Sequence, residues 1–282
     1  MEKNLRQRIL TCVVGVPAVV LGIFCFQDYN FIVFSAVIIV FAFLGTHEMS
    51  KLLFEGKVAA ITYLAPFLTV IQYLQGVLDW PSDTLDLIFI LLLLFVFSTE
   101  IKLGEKDDFK GSLIRASKKC LLIFYPNYLL TFMLRMLALP ETTAYTIITF
   151  MLVVFSNDIF AYVFGRLFGK NNKGIFKVSP KKSVAGFIGG LICCVGMTVL
   201  MFSLCPEHLP KLNLLCQIIL GIAMSITANI GDLTESAFKR SAGVKDSGNL
   251  IPGRGGILDS MDSLIASAPI FFILITMLEL QC

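Results

Sequence analysis

The chain has 282 residues, 56% of them hydrophobic and only 15% charged, with 25 phenylalanines and a formal net charge of +3. That balance excludes a soluble globular domain and places the chain among polytopic helical membrane proteins. So small a net charge gives no ground for a nucleic-acid partner, and the distribution of charge says more than its sum.

In chain order, the first apolar run, 9–26, follows a basic start at Met1–Arg8 and resembles a signal peptide. The run is longer than a signal core and no small-residue cleavage site follows, so it reads as an uncleaved first helix. Further runs at 31–46, 58–78, 84–99, 120–138, 143–164, 184–204, 212–231 and 257–278 bring the expected spans to nine. The segments 1–8, 47–57, 100–119, 165–183 and 232–256 hold 21 of the 23 Lys and Arg residues, and nine spans put all five on one side. The positive-inside tendency makes that side cytoplasmic, with the N-terminus inside and the C-terminus outside. The expected class is all-α: a polytopic integral membrane protein of about nine transmembrane helices. Residues 1–119 form a scaffold and lipid-access part, and 120–282 a catalytic part with cytoplasmic loops 165–183 and 232–256. No internal repeat is visible. The eight cysteines form no CxxC pair and lie mostly inside apolar runs, where they act as small hydrophobes. With two histidines in the chain, a metal here would be held by oxygen.

Lysines and arginines at a cytoplasmic surface need no special role, because they orient helices and attract anionic headgroups. Carboxylates in or beside hydrocarbon are costly unless paired, wet or bound to a cation. Asp158 lies within the sixth span, Asp232 and Glu235 end the eighth, and Asp259 and Asp262 begin the ninth. Each of these pairs is spaced by three, which puts both members on one helix face. The connection returns the chain, so the two acidic faces can meet at one depth and suit Mg²⁺, which takes few protein oxygens and fills its shell with water and phosphate. Simple ion pairing with Lys239, Arg240 and Lys245 is the competing account, and it leaves the glycines unexplained.

The stretch Ser236–Asp262 carries four basic residues, three carboxylates and five glycines. Gly253, Gly255 and Gly256, with Gly248, let backbone amides approach an anion ahead of a helix N-terminus. A plain turn around Pro252 would use the same residues. A second basic loop, 165–183, supplies Lys177, Lys181, Lys182 and Ser183 after Asp158, and these could grip phosphate or merely attract lipid. The glycines that follow, Gly186, Gly189 and Gly190, suit close helix packing.

At these residues the chain resembles the phosphatidate cytidylyltransferase (CDP-diacylglycerol synthase) family. The family's C-terminal signature is matched by Ser236, Lys239–Arg240, Lys245–Asp246, Pro252–Gly253–Arg254–Gly255–Gly256, Leu258–Asp259 and Asp262. The segments GDLTES and SNDIFAYVFGRLFGK…SPKKS look like it too. Arg254 stands where the family usually has His, Ser260 where it has Arg, and Ala185 where an acid is common. The resemblance implies CTP and phosphatidate as substrates, CDP-diacylglycerol and pyrophosphate as products, membrane lipids as surroundings and a homodimer as the assembly. It implies Mg²⁺ on Asp232, Asp259 and Asp246, with a second cation left open. It further implies phosphate contacts from Lys239, Arg240, Lys245 and Arg254, and a pocket completed by Asp158, Lys182, Ser183, Ser236 and Asp262. The expected location is a bacterial cytoplasmic membrane with the site on its cytoplasmic side. Two other functions remain open at this point. One is a different membrane lipid-phosphate nucleotidyltransferase or kinase using the same carboxylates; the other is an ion-coupled transporter, which would place its acids near the midplane.

Overall fold

The computed structural model describes residues 20–139, 143–251, 253 and 255–279. Within them lie eight helices long and apolar enough to cross a membrane. We label them α1 (Ile32–Leu53), α2 (Ala60–Val77, opening with a 3-10 turn), α3 (Thr84–Asp107), α4 (Ser112–Ala138), α5 (Thr143–Phe168), α6 (Val184–Leu204), α7 (Leu214–Ser241) and α8 (Leu258–Glu279). No strand occurs among the described residues beyond two isolated bridges, Lys173 with Ser183 and Ile251 with Gly255. Helices are what an apolar chain must form where no water can serve its backbone. Of the nine expected spans, eight correspond to α1–α8. The first, 9–26, lies largely outside the described residues.

Helix ends depart from the apolar runs. The segments 47–57, 100–119, 165–183 and 232–256 read as connections, yet α1 continues to Leu53, α3 to Asp107, α5 to Phe168 and α7 to Ser241, while α4 already starts at Ser112. The turn between α3 and α4 is thereby reduced to 108–111. Hydrocarbon thickness sets where a span must be apolar, but helical hydrogen bonding runs on into the interface, and Lys, Arg and Glu are good helix formers.

The chain forms two compact units, Met1–Arg135 with Asp246–Leu258, and Met136–Lys245 with Asp259–Cys282. In the first unit polar side chains fasten the helices to one another, which counts where the surroundings are as apolar as the packing. Arg115 of α4 donates to Glu100 of α3 at 3.0 Å and to Asp107 at 2.6 Å, and Lys119 joins it on Glu100. Arg135 reaches Asp86 at 3.0 Å and Gln72 at 3.2 Å. A π-helical turn at Phe124–Tyr128 interrupts α4 at Pro126. Proline has no N–H to give the Leu122 carbonyl. The Asn127 side chain donates Nδ2–H to that carbonyl instead at 2.9 Å, and its Oδ1 accepts from the Thr46 hydroxyl of α1 at 2.9 Å. On α3, Leu87, Ile90, Leu91 and Leu94 are exposed, as a lipid-facing helix requires.

In the second unit the helices approach closely through glycine. A Cβ on Gly186 of α6 would lie 2.7 Å from the Ala161 carbonyl of α5, and one on Gly231 of α7 would lie 2.5 Å from the Asp262 carbonyl of α8. The core continues through Phe150 and Phe271, whose ring centroids are 5.2 Å apart. Cys25, Cys120, Cys193, Cys194 and Cys205 form no disulfide, and Cys194 is buried beside the Gly221 carbonyl.

Candidate active site

The second unit gathers the charges that the sequence singles out. The close approach at Gly231 sets the polar end of α7 against the first turns of α8. On α7, Asp232, Glu235, Ser236 and Lys239 are three or four apart and share a face. Lys239 pairs with Glu235 one turn back and with Asp259 of α8 at 2.5 Å, so one ammonium joins the two acidic faces. Asp232 pairs with Lys182, which precedes α6, at 2.7 Å, and accepts from Ser236 at 3.4 Å. Asp262 lies within electrostatic range of Asp158, Asp232 and Glu235, and accepts from the Ser263 amide at 2.7 Å. Asp158 of α5 accepts from Asn157 at 3.2 Å.

Five carboxylates thus converge, with Lys182 and Lys239 as their described ammonium partners. The cluster has a closed and an open side. The Glu235 side chain is fully buried and that of Asp259 is 6% exposed, whereas that of Asp232 keeps 39% and Lys182 keeps 20%. A charged ligand would therefore meet Asp232 and Lys182 before the inner pair. Ser183 spends its hydroxyl on α6, accepting from the Gly186 amide at 3.1 Å as an N-cap. Arg240 is exposed and donates to the Val244 carbonyl at 3.0 Å.

Lys177, Lys181 and Lys245 also belong to the second unit, Lys245 being exposed at the end of its 136–245 segment, and the remaining candidates belong to the first. Asp246 is exposed. Gly253 and Gly255 take φ of +79° and +112°, conformations that L side chains rarely adopt. Arg254 lies outside the described residues. The turn closes on itself: the Ile251 amide donates to the Gly255 carbonyl at 2.8 Å and the Gly255 amide to the Ile251 carbonyl at 3.1 Å. The amides that follow are also taken. Ile257 and Leu258, at the start of α8, donate to the Glu48 carboxylate at 3.1 and 3.0 Å. An anion does sit at this helix N-terminus, as the glycine pattern suggests, but it is a side chain of the same unit.

Two residues outside the sequence-derived set therefore matter. Asn157 is fully buried, supports Asp158, and accepts from Ser225 at 2.7 Å and Asn229 at 3.4 Å. An amide inside an apolar helix, beside an acid, was its signal. Glu48 offers only a carboxylate toward the C-terminal end of a span, and its partners lie 199 to 210 residues further along the chain.

Among the described residues, no group of three or more His, Cys, Asp or Glu is gathered as a metal cage. The donor chemistry nonetheless suits a hard divalent cation, because Asp232 and Asp259 offer oxygen alone and Mg²⁺ asks little more of a protein.

The acids and their two lysine partners make a net-negative cluster on adjoining helix ends, which pairing or a bound cation must offset. The chain belongs to the cytidylyltransferase family, whose model matches residues 6–278. It is similar to the phosphatidate cytidylyltransferase of Pseudomonas aeruginosa, 33% identical over 271 residues that cover 95% of each chain. It is similar also to that of Aquifex aeolicus, 32% identical over 250 residues, 88% of this chain and 84% of the relative. The similarity to the Staphylococcus haemolyticus phosphatidate cytidylyltransferase reaches 44% identity over 124 residues, 44% of this chain and 46% of that protein.

Proposed function

We propose that this chain transfers CMP from CTP to phosphatidate, giving CDP-diacylglycerol and pyrophosphate. The observation that carries the reading is the cluster of Asp158, Asp232, Glu235, Asp259 and Asp262 about Lys182 and Lys239, in a chain matched by the cytidylyltransferase family over nearly its whole length. A phosphatidate oxygen attacks the α-phosphorus of CTP, and the bond from that phosphorus to the oxygen bridging the β-phosphate breaks. The attacking oxygen is already anionic, so no Ser–His or Cys–His pair is required. What the reaction needs is alignment and neutralisation of two polyanions.

Asp232 and Asp259, with Asp246 as a third carboxylate, would hold Mg²⁺. Bound there, the cation supplies neutralisation of the CTP phosphates and of the departing pyrophosphate. Lys182 would pass its ammonium from Asp232 to an arriving phosphate oxygen. Lys239, held by two carboxylates, would stay in place and orient them. Arg240 and Lys245 would bind phosphate oxygens from the surface, Arg254 would add a further cation for them, and Gly253, Gly255 and Gly256 would shape the turn. The finer topology belongs to the same proposal: nine spans, the five basic segments and the site on the cytoplasmic side of a bacterial inner membrane, and a homodimer.

The test is turnover by the purified protein in detergent micelles with labelled CTP, phosphatidate and Mg²⁺. Phosphatidate-dependent pyrophosphate release with a CMP-bearing lipid, lost in Asp232→Asn and Asp259→Asn, is the expected result. ATP-dependent phosphorylation of a lipid, or no reaction from folded wild type, would overturn the assignment.

A further inference from the structure

Glu48 is an acid near the end of an apolar helix that no part of the proposed chemistry uses. Its residue is only 4% exposed, so its charge must be met by hydrogen bonds. Three donors meet it, and all come from one short stretch of chain. Ser247 donates its hydroxyl to Oε2 at 3.0 Å, the Ile257 amide donates to Oε1 at 3.1 Å, and the Leu258 amide donates to Oε2 at 3.0 Å. Both ends of the glycine turn are therefore fastened to one carboxylate. The turn is also shaped around it: a Cβ on Gly248 or on Gly256 would collide with the Glu48 carboxylate. Behind it, Ile257 and Leu258 pack toward Gly45, one turn earlier on α1.

We infer that Glu48 is a positioning residue for the glycine turn: it fills the anion site at the start of α8 and holds the turn's two ends, Ser247–Gly248 and Gly256–Leu258, in the arrangement that receives the nucleotide phosphates. The inference rests on the proposed function for what the turn receives, and on the geometry alone for what holds it. The hydrogen bonds are charge-assisted and buried, which makes them stronger than neutral ones. Gln in place of Glu keeps the volume but turns an NH₂ group toward a backbone N–H, so at least one donor loses its partner. A phosphate cannot use the Ile257 and Leu258 amides while Glu48 holds them. The side chain acts through the turn and not on the substrate.

The test uses the full-length protein in detergent, wild type beside Glu48→Gln, with two readouts. Amide hydrogen exchange should quicken at 255–258 by on the order of tenfold or more in the variant and stay unchanged in α5. In turnover, the KM for CTP should rise by on the order of tenfold while the KM for phosphatidate moves less than about twofold. Unchanged exchange at 255–258, or equal shifts in both KM values, would overturn the inference. If Glu48→Gln fails to fold, Ser247→Ala takes its place under the same criteria at about threefold, since it removes one donor and leaves both amide bonds. Wild type that turned over no CTP would refute the functional reading, and the exchange measurement would still decide for or against Glu48.

Discussion

Replacing Lys239 with Met tests the electrostatics of the cluster most directly. The side chain keeps its length and loses its charge. Lys239 is 12% exposed and is shared by Glu235, which is fully buried, and Asp259, which is 6% exposed. Water cannot take over from the missing ammonium at either carboxylate. Removing one partner of a buried ion pair costs about 3–5 kcal/mol, because the charge left behind stays desolvated. At roughly 2–4 °C per kcal/mol for chains of this size class, the melting temperature should fall by about 10 °C. The assay is thermal unfolding of the purified protein in detergent, following the fluorescence of Trp80, the single tryptophan. The double variant Lys239→Met/Glu235→Gln should recover about half of the loss, since a neutral amide has no charge to leave behind. A single variant within about 2 °C of wild type would refute the account, and so would a double variant no more stable than the single one.

Two further outcomes follow from the same structure. Gly231→Ala places a methyl group 2.5 Å from the Asp262 carbonyl and 2.8 Å from the Ala266 Cβ; it should cost about 1–3 kcal/mol of stability, read as a lower melting temperature. Removal of divalent cations with EDTA should abolish CMP transfer and added Mg²⁺ should restore it, checked by labelled-lipid formation; full activity in EDTA would remove Asp232 and Asp259 from the role of cation ligands.

Eight of the expected spans are legible because apolar length is set by the bilayer, a constraint external to the chain. Their ends are not, since α3 and α4 run through Glu100, Asp107, Arg115 and Lys119, which satisfy one another across the pair. The acidic faces of α7 and α8 are legible from a spacing of three, and Lys239 does join them. Lys182 as the partner of Asp232 is not, for its loop carries several equivalent lysines and only the fold chooses among them. The glycine turn announces an anion and leaves open which one. Glu48 answers that from some two hundred residues away, a distance over which local pattern carries no information.

The interruption of α4 has a consequence for how this chain can drift. Pro126 leaves the Leu122 carbonyl without its usual donor, and Asn127 makes up the deficit with the same side chain that ties α4 to Thr46. The two neighbours therefore act as a unit. A lineage that lost the asparagine first would strand a buried carbonyl, and one that lost the proline first would hand that carbonyl back to the backbone and release the amide from it. Through either intermediate the bond between α4 and α1 loses its anchor, so the pair should be kept or exchanged together.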